Sequence, residues 1–491
     1  MNRQIRRMGL ALVALFIVMF AQLNYLQVIR ADHLANHPGN SRNAVRDFGQ
    51  PRGLIRTADG RVVAESVRNP DRASNFDYLR RYPGGSLYGH ITGYFSFTFG
   101  STGIERTYNS VLAGHRTALT VKRLQDLLRS KVVTSDVTLT LNDRLQRAAA
   151  LLLKRRKGSI VVLDPRTGAI LVSVSYPSYD PSALASTNFP STQRAYDLLS
   201  TDPDQPLLAR AYRQRYPPGS TFKTVTAATG LATKVVSTTQ PIYPVLREIP
   251  LRFTSRPLRN FGGSACGGDL IHAFTVSCNT SFAQLGLDLG AQRLHDGAQS
   301  FGFNRTPPLD VSPGAARSVF PPVDFFVRND PQLAQGAIGQ GNVSATPLQM
   351  ALVASAIANG GTIREPHFLK EVRDSDGNVV QSEPNNEWLR AVSPEVAATM
   401  NQLMVGVVNS GTGTRAAISG VQVAAKTGTA QTGRSSAHAW TIAFAPAEAP
   451  TVAVAVLIEN QREVSTATGG RIAAPLARQM IESTLAVQAG R

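Results

Sequence analysis

An apolar run from Met8 to Ala21, carried on with only scattered polar positions to Ile29, stands directly behind Arg3, Arg6 and Arg7. About 20 apolar residues span the hydrocarbon of a bilayer, so the pattern predicts a transmembrane helix over residues 8–29. Its basic flank places residues 1–7 in the cytoplasm and everything after Arg30 outside. A cleaved signal sequence is the competing reading. No small-x-small cleavage site follows the run, which favours an uncleaved anchor.

Residues 30–157 are polar and Arg-rich, with turn signals at Ala58-Asp59-Gly60 and Pro83-Gly84-Gly85, and read as a modest β-rich module. Toward its end Val137, Leu139 and Leu141 alternate as a strand. Asn142 or Asp143 then caps a helix whose Leu145, Ala148, Ala149 and Leu152 share a face. The basic cluster Lys154 to Lys157 ends that helix, where positive charge complements the dipole.

At Gly158 the pattern turns apolar and opens a second domain, residues 158–491. Ile160 to Leu163 reads as a buried strand, Asp164 to Gly168 as a hairpin turn and Ala169 to Val174 as its partner. Thr451 to Ile458 is apolar at both alternating sets of positions, as in a central strand covered on both faces. Its expected partner is Ala439 to Phe444, joined through Pro446 to Pro450, and Ile472 to Leu485 has helical spacing. A sheet built from both ends of the domain with helices between them is an α+β architecture. Pro307 to Asp330, rich in proline, predicts a long surface loop and a candidate lid. Gly339-Gln340-Gly341 leads into an alanine-rich helix.

Composition narrows the partners. The chain has 491 residues, too many for one core, so two or three domains are expected. The formal net charge of +18 points to an anionic surface, either lipid or wall polymer. No nucleic-acid module, metal-ligand cluster or GxGxxG loop occurs in a fitting context, so the sequence predicts no nucleic-acid partner, no metal and no cofactor. Cys266 and Cys278 form either a disulfide or a pair of buried thiols, and the oxidising side of the membrane favours the bond.

Candidate chemistry centres on Tyr216-Pro217-Pro218-Gly219-Ser220-Thr221-Phe222-Lys223. Two prolines and a glycine suit a helix entrance, and Phe222, Val225, Ala228 and Leu231 give the helix that follows its apolar spacing. Ser220 therefore lies at a helix N-terminus with Lys223 one turn on, on the same face. A desolvated lysine near other cations is neutral enough to take a hydroxyl proton, a task arginine cannot perform. Two further triplets follow, Ser277-Cys278-Asn279 and, at the end of an apolar strand from Val421, Lys426-Thr427-Gly428 with Thr429 after it. SxxK, SxN and KTG in this order are shared by penicillin-binding proteins and class A β-lactamases. His438, near Trp440, is expected to be structural.

With the anchor, Arg52 to Ile55, Gly103-Ile104-Glu105, Asp164-Pro165 to Gly168, Tyr216 to Lys223 and Lys426 to Gln431 in place, the chain resembles a class B penicillin-binding protein nearly end to end. Such a protein is a monofunctional peptidoglycan D,D-transpeptidase, and the likeness is greatest to the penicillin-binding protein A type. Arg56 to Gly60 departs from the family's Asp-Arg-Asn-Gly, and Ala425 replaces a common glycine before the KTG lysine. The resemblance implies a penicillin-binding fold on a non-catalytic pedestal. It makes Ser220 the acylated nucleophile, Lys223 its base and Ser277 a proton relay, while Asn279 bonds Lys223 or the substrate's peptide. Lys426 and Thr427 would bind the terminal carboxylate, and Gly428 would admit the substrate. The backbone N–H groups of Ser220 and Thr429 would form the oxyanion hole. Implied partners are D-Ala-D-Ala stem peptides, β-lactams as inhibitors, the membrane through one helix, and a separate glycosyltransferase with other wall-synthesis proteins. A D,D-carboxypeptidase, a β-lactamase, or a non-catalytic scaffold or sensor are the rival readings.

Overall fold

Every residue of the strand Gly158–Leu163 is buried, and a strand buried on both faces must lie inside a covered sheet. The computed structural model, which describes residues 2–31, 47–71, 74–114, 134–432, 436–462 and 468–490, places it in a five-stranded antiparallel sheet. The strand order is Ala424–Gln431, Ser436–Ala445, Val452–Arg462, Gly158–Leu163, Ile170–Tyr176. Both ends of the predicted domain thus meet in one sheet, and Val454 pairs with Val162 as Gly428 pairs with Trp440.

The period of two sorts this sheet's side chains between two cores. Ala453, Ala455 and Leu457 face a large cluster with Phe222, Val225, Phe282 and Leu352. Their neighbours Val452, Val454, Val456 and Ile458 face a second cluster with Leu145, Ala149, Leu153, Ala477 and Met480. On the first face lie the helices Lys223–Ala232, Asn279–Ser300 and Pro347–Ala358. The second is covered by Asp143–Leu153 and the C-terminal helix Gly469–Gln488.

Asp143–Leu153 is capped as its sequence predicts, with the Asn142 side chain accepting from the Leu145 N–H. Arg156, within the basic cluster, donates to the carbonyls of Leu152 and Leu153, satisfying groups that a helix end leaves free. This helix belongs to the pedestal by sequence order, yet it packs on the back of the five-stranded sheet. The chain also crosses the expected boundary at residue 158 in the other direction. Leu369–Arg373 pairs with Asp136–Leu139 and with Val379–Ser382, so the pedestal sheet runs Val379–Ser382, Leu369–Arg373, Asp136–Leu139, Ile55–Arg56, Val62–Arg68, Tyr78–Arg81. Residues 32–46 and 115–133 of the expected pedestal lie outside the described residues.

The reading of Pro307 to Asp330 as a surface loop and lid is corrected. Leu309, Val311, Phe320 and Phe326 are buried, and Phe320 stacks on Phe222 at 5.6 Å. Asp310 accepts from the backbone N–H groups of Phe368 and Leu369 and from the Tyr108 hydroxyl. Proline spacing marked an absence of helix and strand, which a buried irregular segment shares with a mobile one. At the other end of the chain, the stretch Arg3–Ile29 is helical, 27 residues long, and holds an 18-residue window with a mean hydropathy of 2.0. That is enough to cross a bilayer by length and composition.

Within the pedestal, Glu105 is wholly buried between two arginines. Its carboxylate accepts from Arg52 at 2.9 Å and Arg80 at 2.6 Å. Burial pushes the Glu105 pKa up, but the two guanidinium groups more than offset that and hold it below its ordinary value. Arg80 also donates to the Gly53 carbonyl, and Arg52 lies 3.9 Å from the centre of the Phe95 ring. Removing one partner of a buried ion cluster strands the others, at a cost of about 3–5 kcal/mol. Glu105→Gln is therefore expected to lower unfolding stability by about that much in denaturant titrations at neutral pH. A loss below about 1 kcal/mol, the range of a surface pair, would contradict the account. Because the folded pKa is depressed, the contribution is complete above the unfolded carboxylate's pKa and disappears as pH falls through the folded one.

Candidate active site

The sequence predicts that Ser220 opens a helix, and the structure refines this. Ser220 lies in a 3-10 turn, Gly219–Phe222, and Lys223 begins the α-helix Lys223–Ala232. Several contacts fix the turn. The backbones of Tyr216 and Ala345 bond in both directions, the Gly219 N–H donates to the Gly339 carbonyl at 2.8 Å, and the Trp440 indole donates to the Pro217 carbonyl at 3.0 Å. The Tyr216 hydroxyl donates to Glu459 at 2.6 Å, and Glu459 also accepts from Arg210. Phe222 is buried beneath the turn. Gly219 has φ +55°, a left-handed conformation natural to glycine.

Lys223 is buried, and its amine donates to the Ser277 carbonyl and to Asn279 Oδ1, each at 2.7 Å, with Ser277 Oγ at 3.4 Å. On the other side of Ser277, Lys426 donates to the same hydroxyl at 2.9 Å. One serine hydroxyl thus lies between two buried amines contributed by the helix Lys223–Ala232 and by the strand Ala424–Gln431. Burial lowers the Lys223 pKa well below its ordinary value, and the charge of Lys426 lowers it further. Burial also brings Lys426 down to about 7. Each amine lies near an aromatic face, Lys223 at 5.3 Å from Phe282 and Lys426 at 5.5 Å from Phe274. Ser277 itself sits at φ +62°, uncommon for a residue with a Cβ and a recurring feature of functional sites.

Asn279 is the first residue of the helix Asn279–Ser300, and it is held from both sides. Its Nδ2 donates to the Arg259 carbonyl at 3.1 Å, so Oδ1 is the atom turned toward Lys223. Asn260 substitutes for a cap, its Oδ1 accepting from the N–H groups of Asn279 and Thr280 at 2.8 and 2.9 Å. The structure joins Cys266 and Cys278 in a disulfide, which ties the residue before Asn279 to the strand Cys266–Gly268.

The strand Ala424–Gln431 forms the opposite wall. Thr427 Oγ1 is 2.6 Å from Thr412 Oγ1, and Thr429 Oγ1 accepts from the Gly469 N–H at 3.3 Å. A Cβ on Gly428 would lie 3.0 Å from the Pro218 carbonyl and from Thr221. Gly428, expected from the sequence to admit the substrate, lets the strand approach the turn that holds Ser220. Gly469 makes a still closer approach, since a Cβ there would meet the Trp440 and Gly428 carbonyls.

The structure brings Ser277, Asn279, Lys223 and Lys426 into one hydrogen-bonded group, with Thr427 to Thr429 beside the turn that holds Ser220. His438 is buried, accepts from the Asn460 N–H and meets the edge of Tyr216, outside the amine network. Sequence reasoning missed Asn260, Thr412, Glu459 and Arg210. Only Thr412, set between glycines at the end of a helix, carried a local signal.

Two family models cover most of the chain: the penicillin binding protein transpeptidase domain over residues 158–482, and the penicillin binding protein A dimerisation domain over residues 52–136. The chain is 39% identical to peptidoglycan D,D-transpeptidase PbpA of Mycolicibacterium smegmatis, across 99% of both chains. It is 38% identical to the same-named protein of Mycobacterium tuberculosis, again across 99% of both. Among solved structures it is similar to the imipenem acyl-enzyme complex of penicillin-binding protein A from M. tuberculosis. There the TM-score is 0.82 at 38% identity, over 89% of this chain and all of that one.

Losing a side-chain cap typically costs about 0.5–2 kcal/mol. Asn260→Ala is expected to destabilise the protein by about 1–2 kcal/mol in chemical denaturation, because it leaves two N–H groups without their acceptor. An unchanged midpoint and slope would show that water replaces Asn260 without loss.

Proposed function

The chain belongs to the penicillin-binding protein transpeptidase family, and from that premise we propose that it cross-links peptidoglycan through an acyl-enzyme on Ser220. One observation carries the assignment of roles: the Ser277 hydroxyl sits between the buried amines of Lys223 and Lys426. A neutral amine has two N–H bonds and one lone pair. The Ser277 carbonyl and Asn279 Oδ1 accept from Lys223, and its lone pair is left for the Ser220 proton.

In this reading Lys426 and Thr427 receive the terminal carboxylate of a D-Ala-D-Ala stem peptide. The backbone N–H groups of Ser220 and Thr429 take the developing oxyanion, where one donor is typically worth about 10²–10³ in rate. Ser220 Oγ bonds to the penultimate alanine's carbonyl carbon and passes its proton to Lys223. The peptide C–N bond then breaks, and the departing nitrogen takes a proton through Ser277, so free D-alanine leaves. An amine of a second stem peptide attacks the ester, gives up a proton to Lys223 and restores the Ser220 hydroxyl. β-Lactams enter by the same first step, but their leaving nitrogen stays tethered.

The apolar N-terminal helix supports membrane anchoring. We assign residues 1–7 to the cytoplasm and the catalytic residues to the outer side, following the basic flank. We further propose that residues 8–29 form the anchor, 30–157 the bulk of a non-catalytic pedestal and 158–491 the transpeptidase unit. Glycan polymerisation would fall to a separate membrane partner.

The direct test is a pulse of fluorescent penicillin followed by peptide mapping and a timed chase. The expected result is a stable adduct on Ser220, absent in Ser220→Ala. Rapid release of the label would favour a β-lactamase, and labelling elsewhere would remove Ser220 from its role.

The lysine pKa values predict the pH profile. Lys223 works as a base only above its lowered pKa, and Lys426 holds a carboxylate only while charged, which it ceases to be as pH rises through about 7. The second-order acylation rate is therefore expected to be bell-shaped, with its alkaline limb near pH 7 rather than near the ordinary lysine value. Lys426→Arg, whose guanidinium stays charged, should carry that limb upward. A wild-type rate still rising above about pH 9 would rule out this division of roles.

A further inference from the structure

The loop Gly411-Thr412-Gly413 ends the helix Pro394–Ser410 and has no part in the three motifs, yet it touches the surroundings of two of them. The Thr412 N–H donates to the Thr275 carbonyl at 3.3 Å, in the helical turn that leads to Ser277. Gly411 lies so near that turn that a Cβ would meet the Thr275 carbonyl at 2.3 Å. The Gly470 backbone closes on the Thr412 carbonyl, where a Cβ would stand at 2.2 Å, and Gly413 is pinned by its N–H to the Val407 carbonyl. These contacts fix the backbone of Thr412 from three sides, and its hydroxyl then rests 2.6 Å from Thr427 Oγ1. Thr427 is 5% exposed, whereas Thr412 is open to solvent.

We propose that Thr412 is a positioning residue for the substrate carboxylate, acting through Thr427; this rests on the assignment of Thr427 above. The argument is a proton inventory. A carboxylate only accepts, and a threonine hydroxyl has one proton to give. When Thr427 donates that proton to a carboxylate, its oxygen can only accept from Thr412. Thr412 is then obliged to be the donor, and its bond polarises the Thr427 hydroxyl and turns its proton outward. Serine at position 412 would keep the donor. Valine keeps the shape of threonine and removes it.

The test compares acylation of the full-length chain in detergent by a penicillin and by the methyl ester of the same penicillin, which has the same ring and no carboxylate charge. In the wild type the acid is expected to react faster. Thr412→Val is expected to lower the second-order rate constant for the acid about tenfold and leave the ester's unchanged, the upper size of one net hydrogen bond between neutral groups. Thr412→Ser should keep the wild-type ratio of acid to ester. An equal loss on both compounds, or an unchanged ratio in Thr412→Val, overturns the proposal, as does a Ser variant that loses the ratio as Val does. If the wild type itself shows no preference for the acid, the carboxylate assignment of Lys426 and Thr427 fails first, so the two failures are distinguishable. Should Thr412→Val not fold, Thr412→Ala reads the same ratio.

Discussion

Two lysine amines buried on either side of one hydroxyl are the constraint around which this protein is arranged. Desolvating a single charge without a partner carries a penalty of several kcal/mol, and no carboxylate lies among the described hydrogen-bond partners of Lys223 or Lys426. The site meets that penalty with neutral oxygens, aromatic faces and a lowered affinity for protons. The instability of the charged pair keeps Lys223 well below its ordinary pKa, which is what the proposed base role requires. A carboxylate built in beside them would stabilise both charges and so take away the proton acceptor proposed for Ser220. The empty charge balance also suits a ligand that brings its own carboxylate.

Such a site needs walls that do not yield, and its walls come from distant parts of the chain. The turn that holds Ser220 hangs from Glu459, Trp440, Ala345 and Gly339. The Ser277 segment is braced by Asn260, Arg259 and the disulfide, and the Lys426 strand is laced into the middle of the molecule through Ser436–Ala445. Close backbone approaches at Gly428, Gly469 and Gly470 join these pieces without intervening side chains. Rigidity of this kind is the usual requirement of a preorganised oxyanion site.

What the sequence made legible follows from the range of each interaction. The helical turn at Ser220 was readable because two prolines and a glycine announce a helix entrance, and Asn142 because a cap is a local device. The unbroken apolar run from Thr451 to Ile458 announced cover on two faces, and both covers are present. Arg210 with Glu459 carries no period and no local partner, so nothing in the neighbouring residues announces it, and the glycines around Thr412 mark a helix end without pointing to Thr427. Asn260 is harder still, since it caps a helix that begins 19 residues later and shares no turn with it. The stretch from Pro307 to Asp330 misled for a related reason. Its apolar side chains lack regular spacing, and the burial of Phe320 against Phe222, like the anchoring of Asp310 to the Phe368 N–H, is decided entirely by tertiary contacts.

The hairpin Leu369–Ser382 reaches from the catalytic half into the sheet of the pedestal, and the helix Asp143–Leu153 reaches back the other way. The two halves are therefore clasped like folded hands, and cutting the chain at Gly158 would free neither of them. A catalytic half prepared in that way would carry an unpaired strand edge along Leu369–Arg373 and a bare patch of valine and isoleucine where the helix had been. Both are invitations to self-association. In descent, too, the halves would have had to travel together, since a new pedestal must supply both a berth for the hairpin and a helix to return.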